Sequence, residues 1–449
     1  MNRFLFSRIR FLMAGVVAAF WAWSACSKMP QIDFVEFELP NGLHVILHAN
    51  DEAPVVSSYI LYHVGSKDER ADMTGFAHFF EHLMFEGSKN VGRKEGDRLI
   101  SEAGGNKNAS TSFDRTDYYI NLPSNELELA LWIESERMLH AEIGEIGVET
   151  QREVVKEERR SRYENQPFGT FVLHLAKTAF EGTSYEWTAI GDVEHINKAT
   201  LEEFRKFYNT WYVPNNATLS IAGDIDIEKT KKLVERYYGD IPKGADIERV
   251  EIDWVVDRPG KTVVVEEPMT PLPASIHVWP APPMTHEDAN ALDLAISILA
   301  TGKSSRIYNR LVAQERAAVS SSAFAWLQEK VGMVAAYAIG NSGVPIETLD
   351  ELMDEEVQKL VNEGISDREF QKALNQKESE LASSLGTMQS RATSLAYYHQ
   401  WYGDANRVNT ELDEYLSVTK EDVIRVAKKY LVKERRSTIH YVLPENGEQ

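Results

Sequence analysis

Thr200-Leu201-Glu202-Glu203-Phe204 opens an apolar-periodic segment running to Tyr212, and Asn216-Ala217-Thr218-Leu219-Ser220-Ile221 follows it. The same order returns 219 residues later, where Thr419-Lys420-Glu421-Asp422-Val423 opens a segment to Leu431 and Ser437-Thr438-Ile439-His440-Tyr441-Val442 follows. In each copy the threonine suits a helix N-cap and the early acids suit the positive end of the helix dipole. The β-branched run after each helix reads as a strand.

The front ends of the halves also match. Leu43–Leu47 and Val55–Val64 read as strands before Gly65-Ser66 and a helix, and Thr262–Glu266 and Ala274–Trp279 read as strands before a helix from about His286 to Thr301. Strands joined by short turns, mixed with long helices, predict an α+β fold of two homologous domains related by an internal repeat. The charged stretch from Lys243 to Arg258-Pro259-Gly260 is the linker signal. The expected division is 33–245 for the first domain, 246–262 for the linker and 263–449 for the second domain.

The chain has 449 residues, 43% hydrophobic and 26% charged, which is enough for more than one core. Its net charge of −21 repels phosphate backbones and argues against nucleic-acid binding. Arg3, Arg8 and Arg10 precede an apolar run from Phe11 to Trp23 and then Ser24-Ala25-Cys26, the layout of a secretory signal over residues 1–25. That run is 13 residues, short of the roughly 20 a spanning helix needs. The one cysteine, Cys26, has no disulfide partner and sits at the cut site. Trp23-Ser24-Ala25-Cys26 resembles a bacterial lipobox with Trp23 in place of a leucine-like residue, so both lipidation and ordinary cleavage stay open. The lipoprotein reading makes 26–32 a tether and places the chain in the periplasm, on the outer membrane of a Gram-negative bacterium, touching lipid only through that anchor.

Gly75-Phe76-Ala77-His78-Phe79-Phe80-Glu81-His82-Leu83-Met84-Phe85 carries the chemistry. At 100° per residue His78 and His82 lie about 40° apart on one helix face, with Glu81 beside them. Every other position is nearly apolar, so the helix is expected to be buried almost all round. Two imidazoles and a carboxylate are costly there unless paired, and a divalent metal pairs with imidazoles one turn apart. A third ligand is expected from an acid on another element. In the helix read over Val148–Arg162, Val148, Gln151, Val154, Val155, Glu158 and Arg162 share one face, so Glu158 points where the valines point.

His-x-x-Glu-His is the inverzincin order. With Glu158 standing 76 residues after His82, the sequence resembles the pitrilysin family of zinc peptidases, in particular short members related to the β subunit of the mitochondrial processing peptidase. Gly105-Asn106-Lys107-Asn108-Ala109-Ser110-Thr111, Pro167-Phe168-Gly169 and Tyr212-Val213-Pro214-Asn215-Asn216 are further echoes, and the likeness runs from about Asp33 to the C-terminus. The resemblance implies one Zn²⁺ per chain held by His78, His82 and Glu158, with Glu81 as general base. It also implies that Asn108, Ala109 and Thr111 bind substrate as an added strand, and that each chain forms half of a clamshell chamber.

There are two departures. Gln151 stands where relatives carry a glutamate supporting the ligands. Where active relatives place an Arg and a Tyr seven residues apart, the corresponding stretch Leu311–Val319 has Val312 and Val319, with Arg306, Tyr308 and Arg316 as nearby substitutes. The second half also lacks a metal motif, since Ala291–Gly302 contains no His or Glu. The expectation is a zinc metalloendopeptidase acting on peptides or unfolded segments as the metal-bearing subunit of a heterodimer, with a homologous zinc-free sister chain. A homodimer and a non-catalytic scaffold subunit of the same fold are the alternatives.

Overall fold

A computed structural model describes residues 31–444. The signal segment 1–25 and Cys26 lie outside the described residues. The first half contains β1 (Val35–Glu38), β2 (His44–Ala49), β3 (Val55–Tyr62), α1 (Phe76–Leu83), α2 (Glu95–Glu102), β4 (Asn106–Thr111), β5 (Thr116–Pro123) and α3 (Leu127–His140). It continues with α4 (Glu145–Arg159), α5 (Phe171–Ala179), α6 (Val193–Lys198), α7 (Leu201–Trp211), β6 (Ala217–Gly223) and α8 (Ile227–Tyr238). The second half contains β7 (Thr262–Glu266), β8 (Ala274–Ala281), α9 (Ala289–Ala300), β9 (Ala318–Leu327), β10 (Gly332–Gly340) and α10 (Ile346–Glu363). It closes with α11 (Asp367–Ser384), α12 (Met388–Tyr402), α13 (Arg407–Ser417), α14 (Lys420–Tyr430) and β11 (Ser437–Val442).

The strands form two sheets, ordered β1-β2-β6-β3-β5-β4 and β7-β11-β8-β10-β9. Without the extra edge strand β1 the two orders are identical, including one parallel pair in each, β2 with β6 and β7 with β11. The helices that announced the repeat are α7 and α14. The Thr200 hydroxyl accepts from the Glu203 amide and the Glu203 carboxylate accepts from the Thr200 amide, and Thr419 and Asp422 repeat the arrangement. The fold is α+β with two homologous domains.

The two halves exchange helices. Alternate residues of a strand face opposite sides of its sheet. In β3, Val56, Ile60 and Tyr62 join the main core of the first half, while Tyr59 and Leu61 meet Ala392 and Ala396 of α12. In β8, Trp279 and Ala281 face the second half's helices, while Ala274, Ile276 and Val278 join Leu175, Ala176 and Ala179 of α5. Each sheet is thus covered on its outer face by the equivalent helix of the other half. Both faces of the central strands are buried, which is why β3 and β8 read as near-continuous apolar runs.

Among the described residues no helix is long and apolar enough to cross a membrane.

Candidate metal centre

Helix α1 starts at Gly75, whose φ of +93° is left-handed. A Cβ there would stand 3.2 Å from the Cα of Gly191 and 3.1 Å from the Ile190 carbonyl oxygen, so the backbones of two loops close on each other where only glycine fits. The first amides of the helix are satisfied from a distance. Glu69, itself buried, accepts from the Gly75 and Ala77 amides at 2.9 and 2.8 Å. Burial pushes the Glu69 carboxyl up to about 8, against the pull of those two bonds. The far side of α1 is fixed by aromatic stacking, Phe76 and Phe79 on Phe204 and Phe80 on Phe207, with centroids 4.8, 4.6 and 5.1 Å apart. The repeat-marking helix α7 is therefore the platform behind α1.

On the face left over, the three expected groups converge. Nε2 of His82 stands 3.1 Å and Nε2 of His78 3.6 Å from the same oxygen, Glu158 Oε2. The other oxygen, Oε1, takes an ion pair with Arg162 at 2.9 Å. Burial, with His82 alongside, brings the His78 imidazole down to about 4, so it is neutral at physiological pH. The hydrogen bond to His82 is the main cause holding the Glu158 carboxyl below the ordinary range, with burial opposing it. Neutral imidazole and ionised carboxylate are the protonation states a metal requires. A His₂Glu set suits zinc with a coordination position left open, so the donor set fits the ion that the motif implies.

Glu81 faces elsewhere. Its Oε2 accepts a 2.6 Å hydrogen bond from Thr111 Oγ1, at the end of β4. Burial pushes this carboxyl up, and the Thr111 bond opposes it. Among the described residues β4 pairs only with β5, so its other edge carries no described strand, and Asn108, Ala109 and Thr111 belong to this edge strand.

The helix carrying Glu158 differs in detail from the sequence reading. It begins at Glu145 and widens to a π-helix over Arg160–Glu164. Its buried stripe is Val148, Arg152 and Val155, while Val154 is exposed, because the face is centred about one residue away from the expected one. Glu149, Glu153 and Glu157 pair with Arg152, Lys156 and Arg160 on the outer side, leaving Glu158 as the acid turned to the histidines. The Gln151 amide donates to Glu86 at 2.5 Å, and Glu86 pairs with Arg93.

In the second half Arg306 is engaged by Glu369 and the Gly364 carbonyl. Arg316 has a φ of +54° and an exposed side chain, and Val319 is exposed. Glu69 escaped the sequence reading. Its signal, an acid six residues before a helix-opening glycine, is too common to single out.

Two family models match parts of the chain. A family model described as "Insulinase (Peptidase family M16)" matches residues 44–192, and one described as "Peptidase M16 inactive domain" matches 198–377. The zinc protease PqqE of Helicobacter pylori is 29% identical over 94% of this chain and 94% of its own length. A probable mitochondrial-processing peptidase subunit beta of Arabidopsis thaliana is 25% identical over 88% of this chain and 75% of its own. Among solved structures, a protease from Helicobacter pylori superposes with a TM-score of 0.86 at 28% identity, covering 92% of this chain and all of that one.

Proposed function

The chain belongs to the M16 peptidase family, and from that premise we propose that it is a zinc-dependent endopeptidase that hydrolyses peptides or unfolded protein segments. The observation carrying this reading is the approach of one ligand atom each from His78, His82 and Glu158 to within 4.8 Å of one another, with Glu81 on the same helix and bonded to Thr111.

In this reading His78, His82 and Glu158 hold one zinc ion. When bound, it supplies a Lewis acid that activates water and polarises a carbonyl at neutral pH. Arg162 fixes the outer oxygen of Glu158 and so orients the inner one toward the imidazoles. Glu81 accepts the proton of the attacking water and returns it to the leaving amine. Its raised pKa suits a group that must act both as base and as acid. The open edge of β4 receives the substrate as an added strand, with Asn108, Ala109 and Thr111 alongside it. Main-chain pairing gives affinity with little dependence on side chains.

The chain divides into peptidase domain 33–245, linker 246–262 and metal-free domain 263–449. It forms half of a four-domain chamber with a homologous sister chain, which supplies the substrate clamp missing at Val312 and Val319. The Arabidopsis relative is itself named a subunit. The protein works in the periplasm, anchored to the outer membrane through Cys26 where that residue is lipidated. A scaffold role would leave the convergence of two imidazoles and a carboxylate without a task.

The test is Glu81→Gln. The variant should keep its zinc and lose hydrolysis of a quenched peptide; full activity in the zinc-replete variant would refute the assignment.

A further inference from the structure

The two faces of β4 differ in what they put beside a strand added to its edge. Ala109 and Thr111 pair with Tyr118 and Thr116 of β5, and through them with Ile60 and Tyr62 of β3, on the side of the first core and of Glu81. Asn108 and Ser110 pair with Tyr119 and Asp117, and through them with Tyr59 and Leu61, on the side that faces α12. On this second side Ser110 stands beside a charged pair. Its hydroxyl donates to Asp117 at 2.7 Å and accepts from Nη1 of Arg115 at 2.9 Å, and Nη1 also pairs with Asp117. Asp117 is buried, whereas the Arg115 side chain is 25% exposed. Among the described residues Nε and Nη2 of Arg115 donate no hydrogen bond.

We propose that Arg115 is a specificity-determining residue, which selects peptides carrying glutamate at the position opposite Ser110. The proposal rests on the reading of β4 as the strand to which substrate adds. Residues directly opposite each other on neighbouring strands share a face, with Cβ atoms about 4.5–5.5 Å apart. The substrate side chain facing Ser110 therefore lies on the α12 side, and serine is too short to screen the guanidinium beyond it. Two methylenes carry a glutamate carboxylate across the serine to the uncommitted nitrogens. Arg–carboxylate bonds of this kind are charge-assisted and directional, and a guanidinium already fixed at Nη1 loses little freedom in making them. The need to neutralise buried Asp117 explains why a cation is present. It does not explain why two of its nitrogens are left over beside a small residue at an open edge.

The sign of the preference separates this contact from the general field of the protein. A chain of net charge −21 draws basic peptides toward it and repels acidic ones. At about 0.15 M salt that field fades over about 8 Å, so a preference for an acid has to come from a group in contact with it. One position of the substrate is thus expected to run against the trend of all the others.

The experiment walks a single glutamate through every position of a quenched peptide, with glutamine and lysine walked in parallel, using the purified zinc-replete protein. At one position glutamate should exceed glutamine in kcat/KM by roughly tenfold, the lower end for hydrogen bonds between charged groups because Arg115 is partly exposed. The gain should appear in KM, and lysine should be the poorest of the three there. Arg115→Gln combined with Asp117→Asn leaves no buried charge unpartnered and should bring the glutamate-to-glutamine ratio at that position to about one. Ser110→Leu keeps the ion pair but covers it, and should abolish the same preference. A walk with no favoured glutamate position in the unaltered protein, or a preference that survives either variant, would overturn the proposal. The same ratios are read as Kd on the Glu81→Gln protein, which requires no turnover. Peptides that bind with the glutamate preference yet are not cleaved by the unaltered protein would overturn the peptidase reading alone. Cleavage without any favoured position would overturn this inference alone.

Discussion

The hydroxyl of Thr111 donates a 2.6 Å hydrogen bond to the carboxylate of Glu81 and so joins the helix bearing the two histidines to the open edge of the sheet. One residue thus links the proton-accepting group to the strand on which substrate is proposed to lie.

Removing that donor should change how Glu81 titrates. The Thr111 bond lowers the Glu81 pKa against the upward push of burial. In Thr111→Val the carboxyl rises further, and the ionised base appears only at higher pH. The acidic limb of the kcat/KM profile should move toward alkaline pH. Hydrogen bonds to charged groups are worth about 1.5–3 kcal/mol, so activity on the acidic side should fall by roughly tenfold or more, with partial recovery at higher pH. A profile superimposable on that of the unaltered protein would contradict the assigned link.

Strand addition makes the substrate backbone matter more than its side chains. Peptides N-methylated at amides that pair with β4 lose one hydrogen bond each, about 1 kcal/mol. Their kcat/KM should fall roughly fivefold per methyl, while side-chain changes at the same positions have smaller effects. The reverse ranking, measured on matched quenched peptides, would argue against edge pairing.

His63 should make stability pH-dependent at the junction of the halves. Gln400 donates to its Nδ1 at 2.9 Å, and its Nε2 meets Glu329 at 2.8 Å. Trp401 packs edge-on, and Lys67 and Arg249 add positive charge nearby. The partners fix a neutral ring protonated on Nε2, and burial brings its pKa down to about 4 from 6.5. Between those values the unfolded chain binds more protons than the folded one, so stability is lost as pH falls from 6.5 toward 4. Each pKa unit corresponds to about 1.4 kcal/mol. The His63→Gln protein should lose roughly 1–2 kcal/mol less than the unaltered one in urea unfolding between pH 6.5 and 4.5. Parallel losses would show that His63 does not titrate as described.

The proposed sister chain predicts that this chain purified alone is poorly active and gains hydrolysis when its homologous partner is added. Arg316, exposed and at positive φ, is the candidate replacement to test for the missing clamp, since Arg306 is held by Glu369. A fully active homodimer that loses activity on Arg316→Ala would make the partner unnecessary.

Local signals made much of this readable in the sequence. Thr200 and Thr419 with their following acids form caps within a few residues, and the His-x-x-Glu-His spacing maps onto one face of a single helix. Which sheet a helix covers depends on contacts far apart in the chain. Ala392, Leu395 and Ala396 announce a buried face on α12, but nothing in their spacing says that the face lies on β3 rather than on the second half's own sheet. Val154 follows the same logic: a helix face one residue off centre exposes this valine and buries Arg152, whose Nη2 donates to the Ala199 carbonyl. Glu69 acts across a loop, where no periodicity marks it.

X-ray diffraction from zinc-replete, active crystals, with anomalous data across the zinc absorption edge, tests the central claim most directly. The account predicts an anomalous peak about 2.0–2.2 Å from Nε2 of His78, Nε2 of His82 and the Glu158 carboxylate, with Glu81 outside the coordination sphere. A peak bound without Glu158, or no peak between the two imidazoles, would contradict it.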